Sequence, residues 1–279
     1  MGRIEQALEK AMQMRKSGAP ADAQPHPSAI PKYDRTGAES LEVSSPYIIS
    51  DPSSWVVLAE EYRKLKSMVV RELKHLNAGN TLMVTSAGSG EGKSLSAINL
   101  AITLAQELDN TVLLIDTDLR RPSLGTYFNL GERPGLTECL VDGVDPSETL
   151  IKTDIGRLTL LPAGRQVGNP TELLASQKMR SFFGEVKHRY RDRYIILDAP
   201  PVLPVAETRI MASLVDGIIF VVAEGKVAEQ GIRDALDILR GNRMLGLVFN
   251  NVSPENLGAH YESYYYVTGE TVKDVKDVH

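Results

Sequence analysis

The hydrophobic positions of this chain alternate between two spacings from residue 55 to about residue 252. Six short runs are almost wholly apolar, as expected of strands covered on both faces of a parallel sheet. These runs lie at 81–86, 112–116, 158–162, 194–198, 217–223 and 245–250. Between them, apolar residues recur at helical spacing over 55–75, 94–108, 171–188, 206–214 and 227–240. The alternation predicts an α/β domain with a mostly parallel central sheet and helices on both faces.

The N-terminal region lacks this pattern. Within residues 1–16, Ile4, Leu8 and Met12 share one face of a predicted amphipathic helix, but so short a helix is marginal without a partner. Residues 17–54 are rich in Pro, Ser, Ala and Asp. They carry too little apolar surface to offset the entropy lost on ordering. We therefore expect a flexible, disordered linker before the domain.

The C-terminal tail, residues 253–279, is also expected to be flexible. Four of the ten tyrosines of the chain lie between residues 261 and 266, among Glu, Ser, Thr and Gly. No apolar period in this segment could bury the four rings. The pattern leaves open whether these phenols are chemical substrates or contacts for a partner surface. The predicted organisation is thus a short helix, a linker, a domain over 55–252 and a tyrosine-rich tail.

Composition excludes several classes of protein. A chain of 279 residues that is 42% apolar can bury one large core. Its longest apolar run, 218–223, is far below the roughly 20 residues that span a bilayer, and its first residues lack the apolar centre of a secretory signal. We therefore expect a cytoplasmic protein. Cys139 is the single cysteine, so no internal disulfide forms, and the net charge of −5 disfavours a general nucleic-acid binder.

The stretch TLMVTSAGSGEGKSLSAINLA, residues 81–101, joins an apolar run, a glycine-rich turn and an amphipathic helix. Ala87-x4-Gly92-Lys93-Ser94 fits the P-loop pattern, with Ala in place of the first Gly. Its glycines let successive backbone N–H groups face phosphate oxygens, and the following helix N-terminus adds positive charge. We expect Lys93 to bridge the β- and γ-phosphates and Ser94 to ligate Mg²⁺. The predicted nucleotide-binding residues of this P-loop NTPase are Gly88, Ser89, Gly90, Glu91, Gly92, Lys93, Ser94 and Leu95.

Two other predicted strands end in carboxylates. VLLIDTD ends at Asp116 and Asp118, and YIILD ends at Asp198. Open α/β sheets bind ligands at the carboxyl ends of their strands. Acidic side chains near phosphates are unfavourable unless a cation lies between them, so Asp118 and Asp198 are candidates to hold Mg²⁺ or its waters.

These motifs resemble those of the bacterial tyrosine kinase (BY-kinase) family over roughly residues 55–266. The segments DTDLRRPSLGTYF, DAPPVLPVAE, GLTECLVDG and GNPTELL carry the resemblance better than the P-loop, which partitioning ATPases share. The resemblance implies an ATP- and Mg²⁺-dependent protein-tyrosine autokinase that regulates exopolysaccharide or capsule synthesis and export. It implies that Asp116 is the base for the acceptor hydroxyl and that Asn250 contacts adenine. The catalytic set it implies is Lys93, Asp116, Asp118 and Asp198, with Ser94, Asp118 and Asp198 at the metal.

The resemblance also implies how the chain assembles. The implied phosphoacceptors, modified between subunits, are Tyr261, Tyr264, Tyr265 and Tyr266. Glu60, Arg63 and Lys66 resemble the family's Glu-x-x-Arg-x-x-Arg oligomerisation helix, with Lys in the third place, and so imply a homo-oligomer, expected to be a ring. Further implied partners are a membrane-embedded polysaccharide co-polymerase that activates the kinase at the inner face of the cell membrane, and a phosphotyrosine phosphatase. No nucleic-acid partner is implied.

Two other functions remain open at this point. One is a nucleotide-switched positioning or partitioning ATPase that transfers no phosphate to protein. The other is a non-catalytic regulator that binds nucleotide and docks on an export complex. Arg120 and Arg121 have two interpretations. They bind phosphate or a neighbouring subunit, or they are simply charges exposed to solvent. Glu207, in PVAE, stands where the family more often has Asp.

Overall fold

The computed structural model describes residues 37–50, 56–76, 79–107, 110–189, 193–253 and 256. Within them, seven strands form one sheet in the order β3-β4-β2-β5-β1-β6-β7. Every neighbouring pair is parallel except β3 with β4. The strands are β1 (Thr81–Ser86), β2 (Thr111–Asp116), β3 (Ile151–Lys152), β4 (Leu158–Leu161), β5 (Arg193–Asp198), β6 (Gly217–Ala223) and β7 (Met244–Asn250). The predicted α/β class and mostly parallel sheet are confirmed.

Nine helices lie in the described residues: α1 (Val56–Lys74), α2 (Lys93–Ala105), α3 (Leu124–Tyr127), α4 (Leu136–Val141), α5 (Pro146–Thr149), α6 (Pro170–Ala175), α7 (Gln177–Arg189), α8 (Glu207–Ala212) and α9 (Glu229–Ile238). The prediction of a single helix over 171–188 is wrong. The backbone of Ser176 is extended and separates α6 from α7. No described helix is both long and apolar enough to cross a bilayer.

The core lies on both faces of the sheet. Successive strand residues face opposite sides, so Val84 packs in one apolar cluster and Met83 in the other. Helices α1 and α2 cover the first face, while α7, α8 and α9 cover the second. Each fully buried aliphatic side chain contributes about 1.5–3 kcal/mol relative to exposure. The two covered faces hold the strand ends, and hence the loops that follow them, in fixed positions.

The linker prediction does not hold for residues 37–50, which pack on the domain. Ile48 and Ile49 are buried. The buried Asn99 amide donates to the carbonyl oxygen of Tyr47 at 2.9 Å and accepts from the backbone N–H of Ile49 at 2.9 Å. Two adjacent buried isoleucines and a buried amide that is hydrogen-bonded through both its nitrogen and its oxygen offset the entropy lost when this segment becomes ordered. The helix predicted over 1–16, and the tail beyond residue 256, lie outside the described residues.

Candidate active site

The glycine-rich loop between β1 and α2 lies where the carboxyl ends of the parallel strands meet. Gly90 and Gly92 have φ angles of 79° and 86°, in the left-handed region that favours glycine. A Cβ on Gly92 would collide with Nδ2 of Asn250. Asn250 ends β7 and donates from Nδ2 to the carbonyl oxygen of Glu91 at 2.9 Å. The residue predicted to contact adenine therefore packs directly against the loop.

The side chain of Glu91 fixes the shape of this loop. Its buried carboxylate accepts from the backbone N–H of Gly88 at 2.6 Å and from that of Ala223, at the end of β6, at 3.3 Å. The Glu91 side chain is therefore engaged within the fold. The motif pattern includes this position as an unspecified residue, so sequence reasoning missed its role.

Lys93 lies within a cluster of carboxylates. Its Nζ is 3.1 Å from Asp118 Oδ2, 3.5 Å from Asp198 Oδ1 and 3.1 Å from Ser94 Oγ. Burial by itself lowers the pKa of Lys93, but the charges of Asp198 and Asp118 outweigh it and raise the pKa above its ordinary value. The ammonium group therefore stays charged and compensates two buried carboxylates.

Asp116 is fully buried below this cluster. Its Oδ2 accepts from the backbone N–H groups of Ser123 and Leu124 at 2.8 and 3.0 Å, and its Oδ1 accepts from that of Asp118 at 3.1 Å. Burial, and then the negative charge of Asp198, raise the pKa of Asp116 to about 7. The carboxyl group is therefore poised to exchange a proton near neutral pH.

Asp198 carries an unsatisfied oxygen. Its Oδ2 accepts from Ser123 Oγ at 2.9 Å. Its Oδ1 is buried and lies 3.5 Å from Lys93 Nζ, and it makes no hydrogen bond with the residues that the structure describes. Burial raises the pKa of Asp198, and the charge of Lys93 opposes that shift. An orphaned carboxylate oxygen beside a hydroxyl and a second carboxylate suits a hard cation.

The oxygens of Ser94, Asp118 and Asp198 fit Mg²⁺ rather than a metal held by protein alone. In the described part of the chain, no three His, Cys, Asp or Glu side chains converge on a metal position. Mg²⁺ is commonly held by one or two carboxylates together with substrate phosphates and water. The donor set therefore matches a cation that arrives with a nucleotide.

A cavity of about 440 Å³ opens beside this cluster. It is lined by Ser89, Gly90, Gly92, Lys93, Ser94, Asp118, Arg120, Arg121, Ser123, Tyr127, Pro200, Pro201, Pro204 and Val205. Asp118 is thus the carboxylate on the cavity wall, whereas Asp116 and Asp198 lie behind it. The assignment of Asp116 as the base stays a prediction.

The predicted oligomerisation residues lie on α1. Arg63 donates to Glu60 at 2.9 Å, and both side chains are substantially exposed. Lys66 instead pairs with Glu107 at 3.2 Å, within the same chain. Glu60 and Arg63 remain accessible to another subunit, whereas Lys66 is partly engaged. The four tail tyrosines, predicted as phosphoacceptors, lie outside the described residues.

Known proteins are similar to this chain in sequence and in fold. A family model described as an AAA domain matches residues 79–243. The tyrosine-protein kinase YwqD of Bacillus subtilis (strain 168) is 34% identical over 75% of this chain and 86% of its own. The succinoglycan biosynthesis transport protein ExoP of Rhizobium meliloti (strain 1021) is 28% identical over 84% of this chain but 30% of its own. The kinase domain of the Escherichia coli tyrosine kinase ETK has a TM-score of 0.67 and 25% identity, covering 79% of this chain and 86% of its own.

The similarity to YwqD spans the glycine-rich loop and both acidic strand ends, and it extends over most of each protein. The ETK kinase domain has a similar fold over 79% of this chain. The chain therefore belongs to the bacterial tyrosine kinase family, whose members are P-loop protein-tyrosine kinases.

Proposed function

We propose that this protein transfers the γ-phosphoryl group of ATP to tyrosines in the C-terminal tail of a neighbouring copy. The observation that carries the proposal is the cluster of Lys93, Asp118 and Asp198, in which Lys93 and Asp118 line an open cavity and Asp198 lies behind them. This cluster joins a group that binds phosphate to groups that bind a cation. The cavity beside it offers an entrance for an acceptor side chain.

The P-loop supplies the phosphate-binding groups. Backbone N–H groups between Gly88 and Ser94, together with the N-terminus of α2, are suited to the nucleotide phosphates. Lys93 exchanges its carboxylate partners for the β- and γ-phosphates and stabilises the charge that develops during transfer. Ser94, Asp118 and Asp198 would hold Mg²⁺, which would supply positive charge to offset that of the phosphates.

The acceptor is a tyrosine hydroxyl, whose ordinary pKa near 10 makes it a weak nucleophile at neutral pH. During transfer, a bond forms between the phenol oxygen and the γ-phosphorus, the bond to the β-phosphate oxygen breaks, and ADP leaves. The phenol proton passes to a carboxylate. Asp116 has a raised pKa suited to this step, and Asp118 is the alternative because it lines the cavity.

We propose that the exposed pair Glu60 and Arg63 forms part of an interface between copies. The resulting oligomer is expected to be a ring, and it would favour transfer from one copy to another. From Val252 to Tyr264 the chain spans twelve residues, which could reach about 40 Å at full extension. Reach alone therefore allows transfer within one copy or between copies. Each added phosphate contributes roughly −1.5 to −2 charges, so a phosphorylated tail should leave the acidic site.

The wider role that we propose is regulation of exopolysaccharide or capsule synthesis and export. ExoP, named as a transport protein for succinoglycan biosynthesis, contains a similar region within a much longer chain. By analogy, this kinase acts in the cytoplasm and is recruited to the inner face of the cell membrane by a separate membrane-embedded co-polymerase that activates it. A phosphotyrosine phosphatase completes the proposed cycle.

A mixing experiment tests transfer between subunits. An inactive Lys93→Met chain with an intact tail is incubated with Mg²⁺, ATP and an active chain whose Tyr261, Tyr264, Tyr265 and Tyr266 are all Phe. Phosphate on the Lys93→Met chain supports the proposal. An unmodified Lys93→Met chain, alongside normal self-labelling of the wild type, would restrict transfer to one subunit.

A further inference from the structure

Arg120 is anchored at the cavity wall by side chains from two other elements. Its Nε donates to Glu207 Oε1 at 2.8 Å, and its Nη2 lies 2.8 Å from the same oxygen. Thr171, on α6, donates to that oxygen at 2.8 Å and accepts from Arg120 Nη2 at 3.3 Å. Glu207, on α8, is 1% exposed, whereas the Arg120 side chain is 49% exposed. The guanidinium group is therefore fixed on its inner edge and open on its outer edge.

The anchor is ionic. Burial by itself raises the pKa of Glu207, but hydrogen bonds from its own backbone N–H, Thr171 and Arg120 lower it below its ordinary value. Among the described residues, Glu207 Oε2 is buried without a hydrogen bond, so Arg120 is the cation that compensates this carboxylate. Nη1 of Arg120 makes no hydrogen bond with any residue that the structure describes. The donors of Nη1 therefore remain available to a ligand.

The sheet order puts Arg120 on the acceptor side of the nucleotide. In the order β2-β5-β1-β6-β7, the loop after β2 carries Arg120, the P-loop follows β1, and β7 ends at Asn250. With a strand spacing of about 4.8 Å, β2 and β7 each lie about 10 Å from β1, in opposite directions. A nucleotide whose base lies near Asn250 and whose phosphates lie on the P-loop has its γ-phosphate toward β5 and β2. Arg120 would then lie beyond the γ-phosphate, at the open cavity that the proposed function assigns to the acceptor.

We propose that Arg120, positioned by Glu207, binds a carboxylate beside the acceptor tyrosine and gives the kinase a preference for acidic acceptor segments. A planar, anchored guanidinium is well matched to a carboxylate. The tail supplies one: Glu262 directly follows Tyr261 and lies two residues before Tyr264. The inference rests on the proposed tyrosine-kinase function and adds the chemical class of acceptor to it.

The test is a competition between two full-length acceptor chains. Lys93→Met with a native tail and Lys93→Met/Glu262→Gln, one of them isotopically labelled, are mixed at equal concentration. An active chain with four Phe residues in place of the tail tyrosines phosphorylates them, and mass spectrometry gives the ratio of initial rates, which equals the ratio of kcat/KM. We expect the Glu262 acceptor to be preferred about fivefold to tenfold, as for one charge-assisted contact half open to solvent.

Variants of the active chain then identify the group responsible. Arg120→Gln should bring the ratio close to one without changing the Kd for ATP. Glu207→Gln should reduce the ratio, and Glu207→Asp should keep most of it because the anchoring charge remains. Arg121→Gln is the matched control: Arg121 also lines the cavity, but its side chain makes no hydrogen bond or ion pair with the described residues, so its loss should leave most of the preference.

Three results would overturn the inference. They are a ratio near one for the unmodified active chain, a preference that survives Arg120→Gln, and an equal loss with Arg121→Gln. If the preference survives Arg120→Gln and the Kd for ATP is weakened, Arg120 belongs to the nucleotide site. The proposed function stands in all three cases, because both acceptors are still phosphorylated. Absence of transfer to either acceptor would instead contradict the proposed function.

Discussion

Replacing Lys93 by Met should destabilise the folded protein as well as abolish its activity. The Lys93 side chain is 12% exposed, and it is the cation that lies between Asp118 and Asp198, which are 7% and 0% exposed. Removing one partner of a buried ion pair costs about 3–5 kcal/mol, because the remaining charge stays buried without compensation. Since Lys93 retains some contact with solvent, we expect about 3 kcal/mol, or about 6–12 °C in Tm for a domain of this size.

The stability lost in the Lys93→Met variant should increase with pH. The pKa of Asp116 in the folded protein is about 7, raised from 3.8, and burial raises that of Asp198 as well. The folded state therefore holds protons that the unfolded state has already released, and stability falls as pH rises through about 7. The charge of Lys93 opposes both pKa increases, so the pKa values of Asp116 and Asp198 should rise further when Lys93 is removed. The Lys93→Met variant should lose more stability at pH 8 than at pH 6.

Thermal unfolding of the nucleotide-free protein at pH 6 and pH 8 measures this effect. Lys64→Met is the matched control, because Lys64 forms a 2.7 Å ion pair with Glu61 that is exposed on both sides. An exposed pair is typically worth about 0–1 kcal/mol, so Lys64→Met should shift Tm by about 4 °C at most. Equal Tm losses for the two variants, or a Lys93→Met loss that is larger at pH 6, would refute the electrostatic reasoning.

Three further predictions follow from individual contacts. If Asp116 is the base, kcat/KM for ATP should fall about fivefold from pH 7 to pH 6 because its carboxylate is protonated. ATP binding measured at each pH is the control, and a flat profile would exclude Asp116 as the base. Gly92→Ala should weaken nucleotide binding at least about tenfold in titration calorimetry, because of its φ of 86° and the clash with Asn250, and unchanged affinity would contradict the loop geometry. Asn99→Ala should cost about 2 kcal/mol in urea unfolding and make residues 37–50 sensitive to protease, whereas continued protection would mean that other contacts hold them.

The fold was largely predictable because six of the seven strands coincide with almost wholly apolar runs, most of which are followed by a clear helical period. β1 and β6 begin and end at the predicted residues. The elements that were missed, such as β3 with two residues and α3 with four, are too short to contain a full period. The extended backbone of Ser176, which divides the helix predicted over 171–188, also leaves no mark on an apolar pattern.

The sequence predicted those site residues that lie at the ends of strands. Lys93 meets Asp118, just after β2, and Asp198, at the end of β5, as the parallel topology requires. Which carboxylate faces the cavity was not predictable, because it depends on backbone donors such as Ser123, seven residues after Asp116. The inward turn of Glu91 and the pairing of Lys66 with Glu107 likewise depend on partners distant in sequence.

Autokinase activity is tested by the intact mass of the purified protein before and after incubation with Mg²⁺ and ATP. We expect wild-type mass to rise in steps of one phosphoryl group. We also expect no rise for Lys93→Met alone and almost none for the variant with Phe at Tyr261, Tyr264, Tyr265 and Tyr266. An unchanged wild-type mass would contradict the kinase activity, and equal labelling of the Phe variant would contradict the assignment of the tail as the acceptor.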